Sequence, residues 1–111
     1  MAKRTRSFPP QTHDVAQVLG QQIAQARRLR GWTAAELAER VGVSVRTISN
    51  LEHGSPTVAM GIAFEAATIL GVRLFGAEGP ELTRLVRQGR ETLALMPSRV
   101  YRRDEPVDDD F

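Results

Sequence analysis

The chain has no cysteine among its 111 residues. Disulfides, thiolate catalysis and cysteine-ligated zinc are thereby excluded. It also lacks a long hydrophobic run: apolar stretches last a few residues, against the ~20 that a bilayer-spanning helix needs. The N-terminus, MAKRTRSFPPQ, is basic but has no apolar segment of the secretory type. Histidine occurs only as His13 and His53. No H-x-x-x-H spacing, glycine-rich phosphate loop or G-x-S-x-G nucleophile is present. These absences argue against an enzyme, a metal site, a cofactor and a membrane partner. There is no internal repeat, and apart from Val100-Tyr101 little reads as strand.

Charged residues are an ordinary 25% of the chain, but they are unevenly placed. The net charge is +2, but five of the thirteen acids (Asp104, Glu105, Asp108, Asp109 and Asp110) lie in the last eight residues. Residues 1–103 carry fifteen Lys/Arg against eight acids, a net +7. A basic body with an acidic tail points to a polyanionic partner for the body, nucleic acid being one kind.

The length fits one domain, and its organisation reads as four segments: a basic flexible arm (1–11), a dense helical region (12–72), a further helix within 73–96 and a polar, acidic tail (97–111). Apolar spacing predicts an all-α fold of five helices. Val15, Val18, Leu19, Ile23, Ala26 and Leu29 recur every three or four residues, with Thr12 or Asp14 as cap and Gly31 as terminator. Thr33 and Glu36 form a T-x-x-E capping box for a second helix that runs to Gly42. Ser44 caps a third, ending near His53-Gly54. A fourth lies between Pro56 and Gly71, with Ile62, Ala63, Ala66, Ile69 and Leu70 inward. Pro80 opens a fifth, with Leu82, Leu85, Val86 and Leu93 on one face, and Pro97 ends it.

Residues 34–51 carry the strongest signal. Two short, separately capped helices flank a three-residue turn containing Gly42, where a left-handed backbone is needed. Leu37, Ala38, Val41, Val43, Ile48 and Leu51 occupy the positions that close such a pair. The stretch RLRGWTAAELAERVGVSVRTISNLEHG resembles the Cro/phage-repressor, or XRE-type, helix-turn-helix family. The resemblance covers roughly Leu19–Val72. It implies a five-helix DNA-binding domain, here followed by a C-terminal helix and a flexible tail, that acts as a homodimer on a palindromic operator. It also implies a structural ion pair between Arg27 and Glu52. One position departs: after Thr33 the family usually has a phosphate-binding glutamine, and this chain has Ala34.

On the recognition helix, Ile48 and Leu51 point inward, so Val45, Arg46, Ser49 and Asn50 face outward as candidates for base readout. The Arg46 fork matches guanine, Asn50 matches adenine, and Val45 suits a thymine methyl. Each is alternatively a solvated or phosphate-facing side chain. Expected phosphate contacts are Thr33, Ser44, Thr47, Ser55 and Thr57, from caps and the loop after the recognition helix. His53 lies in the same loop. Lys3, Arg4 and Arg6 could reach a phosphate or a narrow minor groove, or stay disordered. The expected dimer surface is C-terminal: Leu74, Phe75, the Leu82/Leu85/Val86/Leu93 stripe and Val100-Tyr101. Alternatively the stripe closes the core of one protomer. A DNA-binding protein of this kind is expected in the cytoplasm, on the nucleoid.

Fewer than 40 residues follow Val72, too few for a classical effector-binding domain. A plain repressor and an antitoxin remain. SPTVAMGIAFEAATILGVRLFG, with a later helix and a tail ending DDDF, is similar to HipB-like antitoxins. That resemblance implies autoregulation of an operon and a complex with a HipA-like serine/threonine kinase toxin. In it, Asp108, Asp109, Asp110 and Phe111 read as a toxin-docking tail. Alternatively the tail only solvates the chain or shields the basic body. The family's short dimerising strand would fall on Ser98–Arg103, where the fit is poor.

Overall fold

The computed structural model describes residues 7–100 and Arg102. It contains α1 (Pro10–Leu29), α2 (Ala34–Val41), α3 (Val45–Glu52), α4 (Met60–Ile69) and α5 (Pro80–Ala94), and no strand among the described residues. The chain separates into two compact units, up to Gly76 and from Ala77. The arm residues Lys3, Arg4 and Arg6, Tyr101 of the expected strand, and the tail acids with Phe111 lie outside the described residues.

α1 starts earlier than its side chains suggest. Neither Thr12 nor Asp14 caps it; Pro9 is the cap residue and Pro10 occupies the first turn. Proline suits that place because its φ is already helical and its missing N–H would have no partner there. The carbonyl of Pro9 accepts from the N–H groups of Thr12 (3.0 Å) and His13 (3.3 Å). At the other end Gly31 turns left-handed at φ 72°. The N–H of Trp32 then reaches back to the carbonyl of Arg27 at 3.1 Å.

α2 and α3 are built from local chemistry. The Thr33 hydroxyl accepts from the Glu36 N–H, and the Glu36 carboxylate accepts from the Thr33 N–H, both at 3.1 Å. Ser44 accepts from the Thr47 N–H at 3.1 Å. Between the helices Gly42 sits at φ 84°. Its N–H and that of Val43 both bond to the carbonyl of Ala38, at 2.8 and 3.0 Å.

Ile23, Leu37, Ala38, Val41, Ile48, Leu51, Ala63, Ala66, Ala67 and Leu70 form the core of the first unit. Fully burying a side chain such as Ile23, Leu37 or Ile48 contributes about 1.5–3 kcal/mol. α3 packs on α1 and α2, and α4 packs on α2. α4 meets the core through small residues, Ala63, Ala66 and Ala67, while Ile62 and Ile69 are only half-buried.

Two apolar stripes differ from their sequence reading. On α1, Val15, Val18 and Leu29 are 64%, 52% and 83% exposed. The core takes the adjacent stripe of Leu19, Ile23 and Ala26 instead. On α5, Leu85, Val86 and Leu93 are exposed and Leu82 is half-buried, so the helix closes no core. Leu74, expected at a dimer surface, packs against the core of the first unit, whereas Phe75 is exposed.

Candidate nucleic-acid interface

α3 is held on one side and bare on the other. Ile48 and Leu51 are buried, while Val45, Arg46, Ser49 and Asn50 are all exposed. At 100° per residue these four span an arc of about 140°, opposite the buried pair. A short helix that projects one valine methyl surface, one guanidinium, one hydroxyl and one amide from a single face has the width and the donors to meet base edges in a major groove.

The N-terminus of α3 is pinned by Ser44, whose hydroxyl lies 2.9 Å from that of Thr47. Thr47 is thereby half-buried and engaged within the cap. The cap satisfies one of the orphan N–H groups of the first turn, and those of Val45 and Arg46 precede it. Thr33 is similarly engaged: its hydroxyl accepts from the Glu36 N–H and its own N–H donates to the Glu36 carboxylate. Ser55 and Thr57 face each other across 3.0 Å in the loop after α3. His53 closes the helix itself, its Nδ1 donating to the carbonyl of Ser49 at 2.7 Å. Ala34, which stands where a phosphate-binding glutamine is usual, packs against the core.

The C-terminal end of α3 is locked to α1 at three points. Arg27 and Glu52 form a two-pronged ion pair, Nε to Oε2 at 2.7 Å and Nη2 to Oε1 at 2.9 Å. Arg27 Nη1 also donates to the carbonyl of Trp32 at 2.8 Å. The Glu52 hydrogen bond holds the Arg27 guanidinium above its ordinary pKa, against the opposing effect of burial, so it stays charged. Both side chains are nine-tenths buried, and one cation ties α1, the α1–α2 corner and α3 together.

The other two points are close backbone approaches at glycines. At Gly20 a Cβ would collide with the carbonyl oxygens of Leu51 and Glu52, the latter at 2.8 Å. At Gly54, which has φ 81°, it would meet the backbone of Gln17 at 2.8 Å. α1 and the end of α3 thus meet backbone to backbone. A sequence signal for Gly20 did exist, because glycine inside a helix costs about 1 kcal/mol relative to alanine and is tolerated where a close approach requires it. At the corner, the Trp32 ring has the guanidinium carbons of Arg40 and Arg30 at 4.0 and 5.2 Å from its centre.

Comparison with known proteins meets this geometry at the same residues. A family model described as helix-turn-helix matches residues 23–76. A relative from Bacillus subtilis (strain 168), described as an uncharacterized HTH-type transcriptional regulator, YazB, is 29% identical over 66 residues. That alignment covers 60% of this chain and 96% of the relative. No solved structure matches the chain significantly. The matched segment runs from Ile23 of α1 through the capped pair α2–α3 and α4 to Gly76, and over that stretch the chain is similar to helix-turn-helix domains.

Proposed function

We propose that the chain is a sequence-specific DNA-binding transcriptional repressor, with α3 as the helix that enters the major groove. The observation that carries this reading is the exposed Val45/Arg46/Ser49/Asn50 face on a helix pinned at both ends. Arg46 reads a guanine and Asn50 an adenine; Ser44, Ser55 and Thr57 lie beside the backbone. The Thr33 hydroxyl only accepts within the capping box, so its O–H remains to donate to a phosphate. Two copies on a palindrome double the length of sequence read.

The experiment is a salt series on promoter DNA followed by Arg46→Ala. Binding should weaken steeply with salt, by about 0.9 in the log–log slope per neutralised phosphate. Arg46→Ala should cost about 1–3 kcal/mol on the operator and relax one base position in each half-site. A flat salt response would sink the reading as a whole. An equal loss on every sequence would make Arg46 a phosphate contact.

The finer reading is an antitoxin: a repressor of its own operon that also binds a HipA-like serine/threonine kinase toxin. Its support is the HipB-like stretch Ser55–Gly76 and the DDDF terminus, with Asp108, Asp109, Asp110 and Phe111 as docking residues. Deleting residues 104–111 should weaken kinase binding and leave operator affinity intact. A stand-alone regulator is favoured by a different observation, the near-complete coverage of a relative described only as a transcriptional regulator. Affinity capture from the native host separates the two, since only the antitoxin brings down a kinase.

A further inference from the structure

α1 carries a second face that the helix-turn-helix does not use. Gln11, Val15, Val18, Gln22, Gln25 and Leu29 follow one another at steps of four, three, four, three and four residues. That is the heptad spacing of a helix seam. All six are exposed, and they lie on the far side of the helix from Gly20 and Ile23, which are buried. From Val15 to Ala26 the helix has no charged residue, although the body of the chain is strongly basic. Charge depletion with exposed aliphatic side chains is the signature of a protein contact rather than of a nucleic-acid face.

The flanks of the seam say what covers it. Asp14, Gln21 and Arg28 form one edge at heptad spacing, all exposed. Asp14 and Arg28 have opposite charges, sit symmetrically about Gln21, and have no partner among the described residues. An edge with a lone acid at one end and a lone base at the other is complementary to itself when reversed. We propose that this face is where two copies of the chain meet, α1 against α1 and antiparallel about a two-fold axis near Gln21. Val18 then lies against Gln22 of the second copy, Val15 against Gln25, and Gln11 against Leu29. Asp14 faces Arg28 at both ends. Elsewhere a basic body opposes its own copy; here two like surfaces meet without like charges. This rests on the two-copy element of the proposed regulator and names the surface that supplies it.

The test is sedimentation of the full chain across concentrations, with circular dichroism to confirm folding. Val15→Asp with Val18→Asp should leave a folded monomer where the unaltered chain is dimeric. Asp14→Arg or Arg28→Asp alone should weaken the dimer about tenfold, since each replaces two attractions by two repulsions. The double reversal, Asp14→Arg with Arg28→Asp, should restore affinity to within about threefold of the original. A double reversal no better than the single ones overturns the proposal. So does an unaltered chain that is monomeric throughout, or a dimer that survives the valine changes and is lost with Leu85→Asp and Val86→Asp on α5. Low-salt binding to non-specific DNA, measured on the same proteins, keeps the two readings apart. If it persists in the valine variant while the dimer results fail, the DNA reading stands and this one falls. If no variant binds DNA, sedimentation still decides the α1 contact.

Discussion

Ten buried residues hold α1 to α4 together, and α5 buries none. Both α1 and α5 show apolar residues at helical spacing, so amphipathic pattern does not separate them. Small residues do. α1 offers Gly20, where the end of α3 comes down onto bare backbone, and α4 offers Ala63, Ala66 and Ala67. α5 presents Leu82, Leu85, Val86 and Leu93 with arginines at 84, 87 and 90 among them. A pattern says which side of a helix prefers to be dry. The absence of side-chain bulk decides how near a neighbour can come, and dispersion attraction grows only at that range.

The sharpest way to break the contrast is in the core of the first unit. Ile48 is fully buried, and Ile48→Ala removes three carbons from the inward face of α3. It should cost about 4 kcal/mol, read as a shift in the denaturation midpoint at unchanged slope. Arg27→Ala follows closely. It leaves the Glu52 carboxylate nine-tenths buried without its partner, at a cost of about 3 kcal/mol. Arg27→Lys should recover less than half of that, because an ammonium cannot reproduce the fork to Glu52 and the bond to the Trp32 carbonyl. Full rescue by lysine would mean that charge alone matters there.

Gly20→Ala tests the close approach itself. The added methyl meets carbonyl oxygens rather than a movable side chain. About 2–3 kcal/mol of stability should be lost, although alanine is the better helix former. Because the strain falls on Leu51 and Glu52, operator affinity of the folded variant should drop more than its affinity for random DNA. A stabilised protein would show that α1 and α3 can part without consequence.

Smaller effects belong to the caps, which also show what was legible beforehand. Ser44→Ala and Thr33→Ala should each cost about 1 kcal/mol in thermal or chemical melts. These caps, and the turn at Gly42, could be read directly because donor and acceptor lie within four residues of each other. The orientation of α1 could not. It has two apolar stripes, and choosing between Leu19/Ile23/Ala26 and Val15/Val18/Leu29 depends on partners far along the chain. Gly20 meets residues 51 and 52, and Gly54 meets Gln17, at separations that no local spacing encodes. The Arg27–Glu52 pair came from family resemblance alone. The outward set on α3 followed from period, since two inward residues on an eight-residue helix determine the rest.

The smallest effect should come from α5, and it bears on the contrast from the other side. Leu85 and Val86 are 44% and 60% exposed, and Leu93 is 69% exposed. Replacing Val86 and Leu93 by serine removes little buried area, and serine is only slightly poorer than leucine as a helix former. Each change should lie within about 0.5 kcal/mol of the unaltered chain, measured by chemical denaturation followed through the single tryptophan, Trp32, which reports on the α1–α2 corner. The same variants separate two uses of the stripe. If the exposed leucines and valine serve only the solubility and helicity of α5, the denaturation midpoint is independent of protein concentration in both proteins. If they join copies of the chain, the unaltered protein gains stability with concentration and the serine variants do not, because association linked to folding adds free energy by mass action. Concentration dependence that disappears with Val15→Asp and Val18→Asp, and persists with the serines, assigns the association to α1 and not to the α5 stripe.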